Sequence, residues 1–293
     1  MTGVQTCALP ICSTDIVGRL LAAELTQRLK QQFVIDNRAG AGSIIGLQYA
    51  MQQPPDGYTL MMTSTAYGFL IDKPKVPVDL VNSFAPVVYI GVGDSAFTIH
   101  PSLRVNSVKE LIDLAKKRPG ELLYASSGIG GFPHMSTELF KMMTKTNITH
   151  VPFKGGGPAV IATASGEVNA IINSPAVVLP HVKTRRLRGL AVTSAKRSEI
   201  APDLPALAEA GALPGYEVQG WYGVFAPRAT PRRIVGAVNA ELDRYVQSSE
   251  GRARLLSFGL TTTGGTPEAF ADYYKRETER WGRIIRAAGI RSD

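Results

Sequence analysis

The sequence predicts an α/β protein of two lobes, each a mostly parallel β-sheet flanked by helices. Segments with strand-type and helix-type hydrophobic patterns alternate along the chain, which is typical of a parallel sheet covered by helices. The chain has 293 residues, 44% of them hydrophobic, which is enough for two domains of ordinary size. It contains no run of about 18 apolar residues, so the sequence predicts no transmembrane helix.

The first half of the chain opens with a helix. Its apolar residues recur at helical spacing on one face: Ile16, Leu20, Leu21, Leu25 and Leu29. Pro54 and Pro55 end a second helix, because proline lacks the N–H group that a helix needs. Together these patterns predict helices at 13–29 and 40–53, and strands at 33–36, 58–62, 84–92 and 96–100.

A second α/β series begins at Ser107. Ser107 and Glu110 have the spacing of a capping box, which predicts that a helix starts here and ends before Pro119. Further strands are predicted at 121–126, 149–153, 167–172 and 186–194. Helices are predicted at 132–145 and 157–166, with Pro158 as the first helical residue of the second. Three more helices begin near Pro231, Ser248 and Pro267.

This order of elements predicts how the chain divides. One lobe would comprise 13–99 and 228–293, and the other 100–219. Residues 220–227 would form the second of two crossings between the lobes. Such a double crossing is typical of proteins that close on a ligand as a hinge.

The first twelve residues differ from the rest of the chain. They hold both cysteines, Cys7 and Cys12, and no charged side chain. The stretch "TGVQTCALPI" resembles the translation of a common sequencing-adapter oligonucleotide. We therefore exclude residues 1–12 from the fold as a non-native scar and expect the native chain to start at or near Ser13. The remainder has no cysteine, which excludes a disulfide framework and a thiolate metal site.

The net charge of +8 does not predict a nucleic-acid partner, because the basic residues are dispersed. The densest basic cluster, "KTRRLR" at 183–188, contains no interleaved aromatic residue. We interpret it as a solvated helix end that leads into a strand. A diffuse positive charge could also attract anionic ligands.

Three strand ends carry small or hydroxyl residues. Ser126, Ser127 and Gly128 precede one predicted helix, and "KGGG" at 154–157 precedes another. Thr63, Ser64 and Thr65 follow a third strand. Glycines let the backbone approach a ligand, helix N-termini favour anions, and the carboxyl ends of strands are where α/β proteins bind ligands. This pattern favours an anion site over three ordinary turns.

The sequence supports catalysis, metal binding and cofactor binding less well than it supports an anion site. Ser126 and His134 could form a nucleophilic pair, but the chain has no G-x-S-x-G motif and no evident residue to orient the histidine. The other histidines lack metal-ligand spacing. The glycine-rich stretch at 40–46 lacks the acidic residue that a dinucleotide site needs about 20 residues later. We therefore expect no catalytic residue, no metal and no cofactor.

Eight motifs then occur in the order seen in one family: "STDIVGRLLA", "VIDNRAGAGSIIG", "PPDGYTLMM", "YASSGIGGFPH", "HVPFKGGGPAV", "VLPHVKTRRLRGLAVTS", "LPALAEAGALPGYEV" and "WYGVFAPRATP". From Ser13 to its C-terminus the chain resembles the Bug-type solute receptors, the extracytoplasmic binding proteins of tripartite tricarboxylate transporters. The resemblance implies a type II periplasmic-binding-protein fold with the ligand cleft between its lobes.

The resemblance also implies which residues bind the ligand. Carried over by motif, they are Ser13, Thr14, Asp15, Ser64, Thr65, Ser126, Ser127, Gly128, His134, Lys154, Gly155, Gly156 and Asn173. Members of the family often have aspartate where this chain has Asn173, which puts the choice of ligand in question. The family's first strand and its loop would precede Ser13, where this chain has the scar.

The expected function is therefore that of a periplasmic receptor that binds a small organic carboxylate without chemistry and delivers it to a membrane permease. We expect a monomer that binds no nucleic acid. Two alternatives stay open. One is a hydrolase or transferase that uses Ser126 and His134, and the other is a ligand-sensing module that signals through a partner protein.

Overall fold

Two β-sheets organise the chain, one in each of its two compact units. The computed structural model describes residues 2–6, 13–38, 44–65 and 80–290. The first unit comprises Met1–Val92 and Trp221–Asp293, and the second comprises Gly93–Gly220. The α/β class with two units, each a sheet flanked by helices, is confirmed.

The strands, in chain order, are β1 (Thr2–Thr6), β2 (Phe33–Asn37), β3 (Thr59–Ser64), β4 (Phe84–Gly93), β5 (Ala96–Ile99), β6 (Leu123–Ser126), β7 (Thr149–Pro152), β8 (Ala170–Asn173), β9 (Arg188–Val192), β10 (Gly220–Pro227) and β11 (Leu260–Thr262).

The helices are α1 (Ser13–Leu29), α2 (Ile44–Met51), α3 (Leu80–Ser83), α4 (Val108–Lys117), α5 (Phe132–Thr144), α6 (Gly156–Ser165), α7 (Pro175–Lys183), α8 (Leu207–Ala210), α9 (Arg232–Gln247), α10 (Ser249–Ser257) and α11 (Pro267–Ala288). A short 3₁₀ helix spans Pro101–Leu103.

The sheet of the first unit has the strand order β11-β4-β10-β3-β1-β2. β1 pairs in parallel with β2 and with β3, and β10 pairs antiparallel to β3. Val17, Leu21 and Leu25 of α1 are buried in the same hydrophobic core as Val235 and Leu242 of α9. Of the residues predicted for the apolar face of α1, Leu21 and Leu25 lie in this core and Leu20 and Leu29 pack against it, whereas Ile16 is only half-buried.

The sheet of the second unit has the order β7-β6-β8-β5-β9. β6 pairs in parallel with β7 and β8, whereas β5 pairs antiparallel to β8 and β9. The core beside this sheet contains Ala125 and Ile171 from the strands, Ala159 and Val160 from α6, and Val178 from α7. Both sheets thus combine parallel and antiparallel strand pairs.

Four details differ from the sequence predictions. β5 (Ala96–Ile99) belongs to the sheet of the second unit and begins four residues before position 100, the predicted start of that lobe, because its partners are β8 and β9. Residues 220–227 form β10 of the first unit's sheet. α6 begins at Gly156, so Pro158 is its third residue. The hinge function of the two crossings stays a prediction.

The fourth difference concerns the amino terminus. We excluded residues 1–12 from the fold, but Thr2–Thr6 form β1 between β2 and β3. The exclusion was wrong for these five residues, because a strand pairs through backbone N–H and C=O groups that almost any sequence supplies. Residues 7–12 lie outside the described residues, and the origin of the whole segment stays a prediction.

Candidate functional site

Three helices of the second unit begin at one edge of its sheet. β7, β6 and β8 are parallel neighbours, so their carboxyl ends lie side by side, with adjacent strands about 5 Å apart. α5, α6 and α7 follow these ends in the chain. The first residues of all three helices lack a side-chain hydrogen bond from their N-cap residues, Gly131, Gly155 and Ser174. The helix dipoles and the N–H groups of these first turns, to which Pro133 and Pro175 contribute none, therefore favour an anion here.

Ser126 shapes the loop after β6. Its Oγ accepts a hydrogen bond from the Gly128 N–H (3.1 Å) and lies 2.6 Å from Nε2 of His150 and 3.2 Å from the Gly128 carbonyl oxygen. Ser126 is fully buried. The backbone of Gly128 has φ +120°, a conformation that favours glycine, so hydroxyl and glycine together define the turn.

Three rings stack beneath this loop. The centroids of His134 and His150 are 4.3 Å apart, and His150 also stacks on Tyr124 at 4.8 Å. Nδ1 of His134 accepts a hydrogen bond from the Gly130 N–H at 3.1 Å. His134 of α5 therefore packs against His150 of β7 and holds the loop.

Burial sets the protonation of these rings. The pKa of His134 is lowered to about 4, mainly by desolvation; Glu138 opposes the shift and the nearby Lys141 adds to it. Desolvation also lowers the pKa of His150 to about 3, with additional contributions from His134 and Lys141. Burial raises the pKa of Tyr124, and its hydroxyl donates to Oε1 of Glu138 at 2.5 Å. Both histidines are neutral at pH 7.

The loop after β7 begins with an exposed lysine, Lys154, and continues with Gly155 at φ +118° and ψ 170°. That backbone conformation requires glycine. The next residue, Gly156, lies against Asn173 at the end of β8, because a Cβ added to Gly156 would be 3.1 Å from Asn173 Nδ2. The structure therefore brings the predicted residues Gly156 and Asn173 together.

Ser127 lies beside Gly131. A Cβ added to Gly131 would be 2.8 Å from the Oγ of Ser127. The hydroxyl is half-buried and lies at the N-cap of α5. Among the predicted residues of this unit, the loops of 126–131 and 154–157 and Asn173 thus share one sheet edge.

The predicted residues of the first unit form a second group at the carboxyl ends of its parallel strands. Thr14 Oγ1 donates to Ser64 Oγ at 3.1 Å, which joins α1 to the end of β3. Thr65 is buried, and its Oγ1 accepts a hydrogen bond from the Trp221 N–H at 2.7 Å. Ser13 is the first residue of α1.

Asp15 is a buried carboxylate in the first turn of α1. Its Oδ1 accepts from Asn37 Nδ2 at 2.7 Å, and its Oδ2 accepts from Arg19 Nε at 3.2 Å. A carboxylate in this position is stabilised by the helix dipole. These contacts give Asp15 a structural task in addition to any contact with a ligand.

The alternative of a Ser126–His134 enzyme pair is not supported by these contacts. Ser126 Oγ contacts His150 instead of His134, and Nδ1 of His134 is occupied by the Gly130 N–H. The low pKa of His150 makes it a weak base, and Ser126 Oγ already accepts the Gly128 N–H.

The described part of the chain offers neither a metal-ligand cluster nor a membrane-spanning helix. Its residues include no group of three or more His, Cys, Asp and Glu side chains that could bind a metal ion. None of its helices is long and apolar enough to span a membrane. The glycine-rich stretch at 40–46 lies partly outside the described residues.

Sequence reasoning missed the roles of His150, Tyr124, Glu138 and Lys141. Lys141 Nζ donates to Glu138 Oε1 at 2.6 Å, which connects the ring stack to a charged pair on α5. In the structure β6 pairs in parallel with β7, and Tyr124 is the partner of His150, two positions before the pair of Ser126 with Pro152. No local sequence pattern signals this pairing.

Known proteins resemble the whole chain. Residues 17–290 match the family described as "Tripartite tricarboxylate transporter family receptor". Protein BugT of Bordetella pertussis (strain Tohama I) is 33% identical over 282 residues, which cover 95% of this chain and 86% of BugT.

Solved structures also resemble this chain over nearly its whole length. The structure of R. palustris Rpa4515 with adipate has a TM-score of 0.94 and 36% sequence identity, and the match covers 99% of this chain and 98% of that one. The structure of MatC (Rpa3494) from Rhodopseudomonas palustris with bound malate has a TM-score of 0.90 and 27% identity, with 97% and 98% covered.

Proposed function

Since the chain belongs to the family of tripartite tricarboxylate transporter receptors, we propose that it binds a small organic carboxylate in the periplasm and delivers it to a membrane permease. The observation that carries the proposal is the convergence of α5, α6 and α7 on one sheet edge with uncapped first turns. Backbone N–H groups at helix N-termini bind carboxylates well, because each bond is charge-assisted.

The two dicarboxylates bound to Rpa4515 and MatC suggest the ligand class. Lys154 is the one cation in the 126–131 and 154–157 loops, so recognition would rest mostly on N–H groups and hydroxyls. A hydrogen bond to a charged group contributes roughly 1.5–3 kcal/mol, so a few such bonds suffice for tight binding of a small acid. The residues proposed for this contact in the second unit are Ser127, Gly128, Lys154, Gly156 and Asn173.

A thermal-shift screen of dicarboxylates, including adipate and malate, tests the proposal. A ligand at 100 times its dissociation constant should stabilise the protein by about 2.7 kcal/mol, which raises the melting temperature by a few degrees. Adipamide, the uncharged diamide of adipate, is the matched control and should give no shift. Failure of every acid to stabilise the protein would contradict the proposal.

Two further measurements separate this function from the alternatives. NMR of the ligand after prolonged incubation should show an unchanged acid, whereas a hydrolase or transferase would convert its substrate. Uptake of the labelled acid into proteoliposomes that carry a tripartite tricarboxylate-type permease should require this receptor. Binding without any effect on uptake would favour the sensing module instead.

A further inference from the structure

The side chain of Asn173 has one satisfied end and one free end. Its Oδ1 accepts a hydrogen bond from the Ser174 N–H at 2.7 Å. Its Nδ2 is enclosed by protein atoms and has no hydrogen-bond partner among the described residues. Asn173 is only 9% exposed. The Ser174 N–H determines which atom of the Asn173 amide is oxygen and which is nitrogen. If the amide were flipped, its NH2 group would face the Ser174 N–H, and two donors would lie against each other.

The free Nδ2 lies at the first turn of α6. A Cβ on Gly156 would come within 3.1 Å of it, so the amide and the start of this ten-residue helix are neighbours. Gly155 supplies no side-chain cap, so the N–H groups of the first turn are donors as well. Donors therefore converge here, and a buried donor without an acceptor costs free energy.

We propose that Asn173 is a specificity-determining residue whose Nδ2 donates to a carboxylate oxygen of the ligand at the first turn of α6. The inference rests on the proposed function and narrows its ligand class. The ligand end that enters here carries hydrogen-bond acceptors, because Asn173 Nδ2 and the N–H groups of the first turn of α6 are donors. A ligand that places an ammonium group here leaves its own donors and those of the protein unpaired, and is rejected.

An aspartate at this position would reverse the selection. Its second oxygen would be an acceptor with negative charge, which repels a carboxylate and attracts an ammonium group. Asn173→Asp keeps the shape of the side chain and the acceptor for the Ser174 N–H, and changes only the end that faces α6. It is therefore the sharpest test of the proposal.

The experiment measures dissociation constants by calorimetry for two ligand pairs of matched length, adipate with 6-aminohexanoate and succinate with 4-aminobutanoate. Within each pair one carboxylate is replaced by a protonated aminomethyl group. In Asn173→Asp, the affinity for the dicarboxylate should fall at least tenfold, and the preference for it over the amino acid should shrink at least tenfold. A variant that was merely misfolded would lose both affinities together.

Asn169→Asp is the matched control. Asn169 precedes β8, and its Oδ1 accepts from the Leu123 N–H at 2.8 Å, so the substitution adds the same charge beside the same strand and keeps that bond. Its affinities should equal those of the wild type. Circular dichroism and the melting temperature of each variant without ligand report on folding.

The outcomes separate the two proposals. If no dicarboxylate binds to the wild type, the proposed function fails and this inference fails with it. If the wild type binds a dicarboxylate and folded Asn173→Asp retains its affinity and preference, the function stands and the inference is overturned. Asn173→Ser gives a second test should Asn173→Asp fold poorly, because it removes the donor at Nδ2 without adding charge. A Ser variant with wild-type affinity would likewise overturn the inference.

Discussion

The hydroxyl oxygen of Ser126 lies 2.6 Å from Nε2 of His150, a residue on the neighbouring strand. The same oxygen accepts the Gly128 N–H, and the hydroxyl is fully buried. The family resemblance implies that Ser126 contacts the ligand. These contacts instead support an indirect role, in which Ser126 holds the 126–131 loop and thereby positions Ser127 and Gly128.

Ser126→Ala should consequently reduce stability more than binding. The substitution leaves the Gly128 N–H and His150 Nε2 without their buried partner, which costs about 1–3 kcal/mol of unfolding free energy. The affinity for the best dicarboxylate should fall less than tenfold. Urea unfolding and calorimetric titration measure the two effects, with Ser165→Ala on the exposed end of α6 as control. A hundredfold loss of affinity at unchanged stability would show that Ser126 contacts the ligand directly.

Acid should destabilise the protein through the two buried histidines. Their pKa values in the folded protein are about 4 for His134 and about 3 for His150, below the usual 6.5 of an unfolded chain. Between about pH 6.5 and pH 4 the unfolded chain therefore binds protons that the folded protein does not. Stability is fully present above pH 6.5 and falls as the pH decreases, by up to ~1.4 kcal/mol per pH unit for His134 and less for half-buried His150.

Urea unfolding at pH 7, 6, 5 and 4 measures this slope. Carboxylates add to it, so His134→Asn isolates the histidine, since the amide oxygen of asparagine can still accept the Gly130 N–H. The variant should lose less stability than the wild type over this range, by the equivalent of about one proton. Parallel curves for the two proteins would contradict the assignment.

Asp15→Asn should destabilise the first unit. The variant loses the charge that pairs with Arg19 at 3.1 Å and that favours the N-terminus of α1, although its amide oxygen can still accept from Asn37. Because Arg19 is largely exposed, we expect a loss of only about 1–2 kcal/mol. Glu209→Gln, which breaks the exposed pair with Arg197, is the control and should leave stability unchanged. Equal urea midpoints for Asp15→Asn and wild type would refute this role of Asp15.

Much of the fold could be predicted because its signals are local. The apolar residues of α1, the Ser107 cap of α4 and the proline after α2 each act within a few residues, and these elements form as expected. The family match and the similar solved structures confirm the Bug-type resemblance and the periplasmic-binding-protein fold. The antiparallel strands and the place of β5 could not be predicted, because they depend on pairing between distant segments.

The positions of the loops in the candidate site could be predicted from the sequence, but the contacts between residues of different strands could not. Glycine and hydroxyl residues at 126–131 and 154–157 signal close backbone approach, and both loops precede helices as expected. The contact of Ser126 with His150 requires β7 to lie beside β6, and the contact of Asn173 with Gly156 requires β8 on the other side. Strand order is not encoded in a local pattern, so neither contact could be derived.

Gly156→Val should abolish carboxylate binding and leave the protein folded. The backbone of Gly156 does not have the positive φ that excludes other residues, so a side chain is tolerated by the helix itself. Its Cβ, however, would be 3.1 Å from Nδ2 and 3.7 Å from Oδ1 of Asn173, and the methyl groups of valine would extend further. The side chain would displace the amide and cover the first turn of α6, where the proposed carboxylate receives its hydrogen bonds.

The expected loss of affinity exceeds a hundredfold, since two or more charge-assisted bonds are removed at once. The affinity of Gly156→Ala should lie between those of Gly156→Val and the wild type, because alanine adds only the Cβ and lacks the two further methyl groups of valine. Gly236→Val on α9 is the control: its added Cβ would have no neighbour within 4 Å, and binding should be unchanged. Calorimetric titration with the best acid of the screen measures all three. Wild-type affinity in folded Gly156→Val would place the carboxylate elsewhere, because no ligand held by the first turn of α6 could ignore a valine there.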